Sequence, residues 1–275
     1  MNKAVIFGSF EFLGFHFCTR LLEQGYEVVA INDESLENEP FFEEKRMTIG
    51  RNANFTEINR INELCKANIT DQSVMIINYY DYFIESKLSF FEKSAFFETF
   101  ILSNSQRIKD TNSKMIKILP IQWIQSRELE KIQFNHHDIP CHNIYIPTIY
   151  GPWQPAIFMF QQAILKGLQK KECLSLNERE WIHDAIYVED VVESALEIID
   201  LPPASFILES ETKDHWLKCA QFLSIPLTKI EELNNENVIE KREINVKLIK
   251  SSIPIREGIE RQKKHCIFFL KDIFN

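Results

Sequence analysis

Ala4-Val5-Ile6-Phe7-Gly8-Ser9-Phe10-Glu11-Phe12-Leu13-Gly14 is the stretch from which the rest of the chain is read. Its first four residues are a continuous apolar run, the pattern of a strand buried on both faces. The run stops at Gly8. Apolar residues then recur at Leu13, Phe17, Leu21 and Leu22, a helical spacing that ends at Gly25, a candidate C-cap. Tyr26-Glu27-Val28-Val29-Ala30-Ile31 follows as a second strand and ends at Asn32-Asp33. Strand, glycine turn, helix, glycine stop and strand within about 30 residues make a βαβ unit. Its strands should be parallel and its crossover right-handed.

Further along, the pattern repeats more loosely. Val74-Met75-Ile76-Ile77, Met115-Ile116-Lys117-Ile118-Leu119 and Asn143-Ile144-Tyr145-Ile146 read as buried strands. Helical patterns cover 86–110 and 122–136 between them. Alternating β and α elements predict an α/β, Rossmann-like, doubly wound and mostly parallel sheet. The texture changes after Tyr150-Gly151-Pro152: helical patterns at 156–170 and 214–223, a short strand at 204–208 and a polar loop from Glu231 to Asn237. The expected division is a dinucleotide-binding domain over 1–150, to which 183–200 returns, and a smaller substrate-type lobe over 151–182 and 203–275.

The composition narrows the function. With 275 residues and 45% hydrophobic content, the chain suits one Rossmann-type domain with a small lobe. A formal net charge of −9, with no basic block, argues against nucleic acid as a partner. No apolar run reaches the roughly 20 residues of a membrane span. The N-terminal run lacks the features of a signal peptide, so a cytoplasmic location is expected. Cys18, Cys65, Cys141, Cys173, Cys219 and Cys266 form no CxxC pair and sit near no histidine at ligand spacing. They read as reduced thiols, with no metal site. Only 7 glycines occur in the chain, so each marks a place where the backbone geometry asks for one.

Gly8-Ser9-Phe10-Glu11-Phe12-Leu13-Gly14 lies between a strand and a helix, the context of a phosphate-binding turn, where backbone N–H groups meet a pyrophosphate. Here the chain resembles the NAD-dependent epimerase/dehydratase family, the extended short-chain dehydrogenases, whose loop reads GxxGxxG. Three more segments agree in order. Tyr150-Gly151-Pro152-Trp153-Gln154 is similar to the family's YGPxQ turn, and His183 to Val192 is similar to RDFIYVDDVV. Ile253-Pro254-Ile255-Arg256-Glu257-Gly258-Ile259 is similar to PxxxxxGI. The resemblance implies NAD or NADP as cofactor, a nucleotide sugar as ligand, and a homodimer through helices 86–110 and 122–136. Phe90, Phe91, Phe96, Phe97, Phe100, Ile101, Trp123 and Ile124 make those helices unusually apolar, which also fits a thick intramolecular core.

The departures from that pattern fall on the chemistry. The family's middle glycine is Glu11, whose carboxylate should crowd and repel a diphosphate by about a few kcal/mol unless it swings outward. The ribose-binding acid aligns with Asn32; Asp33, one position later, either substitutes for it or begins a surface loop. In the family's YxxSKxxxE pattern, Trp123 falls at the catalytic tyrosine and Arg127 at the lysine. An indole exchanges no proton near neutral pH, and a guanidinium is no proton relay. The preceding strand ends Leu119-Pro120-Ile121, without the family's hydroxyl. Tyr79, Tyr80 and Tyr82 follow the fourth strand, and each either replaces the missing base or packs in the core. Tyr150 and His183 belong to the substrate side, His183 at the family's arginine, near a diphosphate or as a structural histidine. His136 and His137 read as solvated loop residues. Two functions stand: a homologue that keeps the fold without the chemistry to bind a ligand or partner, with cofactor binding weak or lost, and an epimerase, dehydratase or reductase with relocated catalytic residues.

Overall fold

The structure, a computed structural model, describes residues 2–32, 41–58, 69–70, 72–92, 95–124, 139–168, 174–226 and 244–273. The opening unit forms as its pattern requires. Strand β1 (Lys3–Phe7) leads through the Gly8 turn into α1 (Phe12–Glu23), and β2 (Glu27–Ile31) returns parallel to β1 with Lys3 opposite Glu27. Then follow α2 (Phe42–Ile49), β3 (Phe55–Ile58), β4 (Val74–Asn78), α3 (Tyr79–Ile84), α4 (Ser89–Glu92), α5 (Ala95–Asp110) and β5 (Lys114–Pro120). The second half holds β6 (Cys141–Ile146), β7 (Thr148–Tyr150), α6 (Met159–Gly167), β8 (Ala185–Tyr187), α7 (Val188–Ile198), β9 (Ser205–Ser210), α8 (His215–Phe222), β10 (Asn245–Ile249) and α9 (Ile255–Ile273).

The main sheet has eight strands in the order β10-β9-β6-β5-β4-β1-β2-β3, every pair parallel. The doubly wound sheet expected from the alternating pattern is therefore what forms. β7 and β8 make a separate parallel pair. β9 and β10 extend the main sheet, so the segment 203–275, assigned from the sequence to the smaller lobe, contributes strands to the larger layer as well.

Alternation along β1 explains its all-apolar sequence. Ala4 and Ile6 join the core on one face, with α1 and α7. Val5 and Phe7 join the core on the other, with Phe91, Phe100, Ile101, Ile108 and Trp123. Burying a side chain of that size contributes about 1.5–3 kcal/mol, so a strand with two covered faces has no place for polar residues. A third cluster, including Tyr150, Phe160, Trp216 and Ile259, is distinct from these two.

Of the predicted helix at 86–110, the described residues form α4 and α5, and residues 93 and 94 lie outside the described residues. Of the predicted helix 122–136, the described part is a 3₁₀ turn, Ile121–Ile124, and residues 125–138 lie outside the described residues. His136, His137 and the loop from Glu231 to Asn237 lie outside them too. Phe91, Phe100, Ile101 and Trp123, on which the dimer expectation partly rested, are buried in the chain's own core. No described helix is long and apolar enough to cross a membrane.

The glycine turn is an interlock. Gly8 has φ +80, and a Cβ on Gly14 would lie 1.8 Å from the Gly8 carbonyl oxygen. Both partners in that contact are backbone, so neither can yield. Gly14→Ala should cost about 3 kcal/mol or more. Gly167→Ala, at the end of α6 with open space around it, should be neutral or stabilising by up to about 1 kcal/mol. Urea unfolding of the two variants checks both values; equal effects would disprove the interlock.

Candidate functional site

The β1–α1 turn meets the β4–α3 turn where the strand order reverses from β1 to β4, the crevice in which doubly wound sheets hold ligands. The chain's own polar groups meet there. Asp81, in α3, places Oδ2 2.7 Å from the Leu13 amide nitrogen and 3.3 Å from that of Gly14, so both N–H groups donate to it. Asn78 Nδ2 donates to the same oxygen at 2.5 Å. These amides open α1, where the first four N–H groups have no intrahelical acceptor and the dipole favours an anion. Asp81 is buried, and burial raises its carboxyl to about 6, with the Asn78 hydrogen bond opposing.

The other loop residues are engaged as well. Ser9 Oγ donates to the Ile6 carbonyl at 2.8 Å. Phe10 N–H donates to Asn32 Oδ1 at 3.0 Å, and the Phe10 carbonyl accepts Lys45 Nζ at 2.7 Å. The Phe10 ring packs on Phe42 and Phe55. Glu11 turns inward and is 3% exposed. Its carboxyl is held well above the usual range, first by burial and then by Glu85, while Lys87, 3.8 Å away, opposes. Phe12 and Leu13 are core residues. Tyr82 lies over Gly8, its Cε2 2.7 Å from where a Cβ would stand. Asn32 thus caps the loop, and Asp33 lies outside the described residues.

The three tyrosines are packing residues. Tyr79 sits against Phe91 at 4.5 Å and Trp123 at 6.0 Å, and Tyr82 stacks on Phe90 at 5.0 Å. Tyr80 Oη accepts the Ile149 N–H. All three are buried, and burial drives the Tyr79 and Tyr80 phenols upward. Trp123, also buried, packs on Phe83 at 5.6 Å, and its Nε1 has no hydrogen-bond partner among the described residues. Arg127 lies outside them. Leu119 and Ile121 are buried and apolar, so no hydroxyl stands at the end of β5.

A pocket of about 310 Å³ opens at the carboxyl ends of β5 and β9, lined by Ile121, Trp181, His183, Glu209, Ser210 and Lys213 among others. His183 is exposed at the pocket rim with its ring 4.7 Å from Trp181, and partial desolvation lowers its pKa. Tyr150 does not reach this space by an exposed hydroxyl: it is buried and 3.1 Å from His215 Nε2. Sequence reading missed Asp81, Lys45, Ser210 and His215. Only the position of Asp81, three residues past β4 at the carboxyl edge, could have pointed to it. No group of three or more metal-ligating side chains occurs among the described residues.

An unfolded aspartate titrates near 3.9 and Asp81 near 6. The native state therefore binds this proton more tightly, and the stability Asp81 contributes falls as pH rises from about 4 to about 6. Asp81→Asn, which keeps the shape and does not titrate, should be worst tolerated at pH 4.5 and lose less at pH 7.5. Urea melts at both values decide it; an equal loss would mean the carboxyl is not raised.

No family model matches the chain. Protein CapI of Staphylococcus aureus is 23% identical over 237 residues, 73% of this chain and 70% of that protein. The UDP-glucuronic acid 4-epimerase of Bacillus cereus, solved in complex with NAD, superposes with a TM-score of 0.66 at 15% identity, covering 99% of this chain and 100% of that one. The dTDP-glucose 4,6-dehydratase of Bacillus anthracis, also solved with NAD, gives 0.62 at 10% identity over 99% and 97%. This chain has the fold of the NAD-dependent epimerases and dehydratases, the extended short-chain dehydrogenases.

Proposed function

We propose that this chain keeps the epimerase/dehydratase fold to hold a small ligand, binds NAD and NADP weakly or not at all, and transfers no hydride. One observation carries the reading. The α1 amides that would meet a pyrophosphate already donate to Asp81. An incoming diphosphate has to displace a buried carboxylate and enter beside a second one, Glu11. Tyr82 over Gly8 adds bulk where the dinucleotide would lie along the turn. The residues present do not fit the cofactor.

The remaining chemistry agrees. Trp123 stands at the family tyrosine, and the end of β5 offers no hydroxyl. Tyr79, Tyr80 and Tyr82 are buried with raised or packed phenols, which disfavours a relocated base. The pocket beside His183 is the place for the ligand. It lies at the low end of the range for small-molecule sites, about 300–1,000 Å³. The nucleotide sugars named for the relatives suggest a sugar-like occupant. A homodimer remains part of this proposal, and a lone 32.5 kDa species in sedimentation at micromolar concentration would count against it.

Calorimetric titration tests the cofactor reading. Wild-type protein should bind NAD and NADP no tighter than high micromolar, and Glu11→Gly with Asp81→Ala should tighten binding at least tenfold by freeing the amides and removing two acidic side chains. Submicromolar binding by the wild type would overturn it. Trp123→Tyr with Arg127→Lys should stay inactive on UDP-, GDP- and dTDP-sugars. An acid/base is worth about 10²–10⁴-fold only within an assembled site, and the hydroxyl is still missing. Turnover by wild type that is lost on changing Tyr79, Tyr80 or Tyr82 would instead restore the relocated-base reading.

A further inference from the structure

Ser210 is the last residue of β9, at the carboxyl edge of the sheet, and lines the 310 Å³ pocket with Ile121, Trp181, His183 and Lys213. Its Oγ lies 2.7 Å from Nδ1 of His215, the first residue of α8. The Nε2 of that ring lies 3.1 Å from Tyr150 Oη. His215 and Tyr150 are both fully buried, so the ring is held between two hydroxyls. Cys219 lies in the same buried cluster as Tyr150. A hydroxyl on a pocket wall, a base within hydrogen-bond reach and a third group orienting the base make the signature of an activated nucleophile. None of these residues has a part in hydride transfer.

We propose that Ser210 is the nucleophile of a cofactor-independent acyl-transfer site, with His215 as its base and Tyr150 as the positioning residue, acting on a small O-acyl ester held in this pocket. In the tautomer this role requires, the Tyr150 oxygen accepts Nε2–H and Nδ1 is left bare toward Ser210. Burial lowers His215 to about 4, so the ring is neutral at pH 7.

The step balances without an oxidant or metal. Ser210 Oγ attacks the ester carbonyl carbon as its proton passes to His215 Nδ1, and the carbonyl π pair moves to oxygen. Collapse breaks the bond to the alkoxide, which leaves with the proton from Nδ1. Water then attacks the acyl-serine and gives its proton to Nδ1. Ser210 regains that proton as the carboxylic acid departs. Lys213, on the same wall, would face the charge growing on the carbonyl oxygen.

The site goes beyond the ligand-holding reading, and its test does not depend on NAD. The full-length chain is treated with an alkyl fluorophosphonate, the adduct is mapped by peptide mass spectrometry, and p-nitrophenyl acetate hydrolysis is followed at pH 7. A single adduct on Ser210 is expected, with hydrolysis about 10²-fold or more above Ser210→Ala. Tyr150→Phe should slow acylation about tenfold while leaving the pocket in place. The adduct map uses the wild type alone, so it stands even if a variant folds poorly. No adduct, an adduct at another residue, or undiminished hydrolysis by Ser210→Ala would overturn the proposal. An unchanged acylation rate in Tyr150→Phe would overturn the role given to Tyr150.

Discussion

The Asp81 carboxylate on the first amides of α1 is the contact around which the carboxyl edge of the sheet is arranged. It joins the turn after β4 to the turn after β1, the two strands that flank the point where the sheet order reverses. A helix start buried at such a place needs an acceptor, because orphaned N–H groups cost about 1–3 kcal/mol each when desolvated. Here the acceptor is part of the chain. Around it stand Glu11, Glu85, Lys87 and Lys45, a largely buried set of mixed charge. Burial raises Glu11 and Asp81 and lowers Lys45, so desolvation outweighs mutual attraction at each of the three. Such a cluster is weak evidence for stability and better evidence for a fixed arrangement, since removing one member leaves the others buried and uncompensated.

The second half of the chain is tied together by the same device, buried polar side chains on backbone groups. Gln262, 1% exposed, accepts Gly151 N–H and donates to Gln154 and Gln161. It thereby locks α9 onto the turn after β7. Asp184 accepts the amides of Ala185 and Ser210, and Asp190 accepts that of Ser252. Segments that resemble family motifs therefore have structural work to do whether or not a cofactor binds. Glu180, raised to about 7 by burial, takes Met159 N–H and Trp216 Nε1–H into one carboxyl. These ties join α6, α8 and α9 to the turn after β7 and to the segment before β8.

Much of this was legible along the chain. The all-apolar run of β1, the spacing of Leu13, Phe17 and Leu21, and the glycines at 8, 14 and 25 determine the βαβ start, because strand and helix periods and backbone conformation are local properties. The absence of a tyrosine at 123 and of a hydroxyl at 119–121 is equally a fact of sequence. Helix α9 is not among the elements expected from the sequence; its buried face sets Gln262 between Ile259 and Cys266 and adds hydrogen bonds to that apolar contact. Only the tertiary structure decided that Glu11 turns inward, that Asp81 sits on amides 68 and 67 residues away, and that Ser210, His215 and Tyr150 form one chain. Those outcomes depend on which strands become neighbours and on how desolvation ranks the partners each polar group can reach, and no local pattern encodes either.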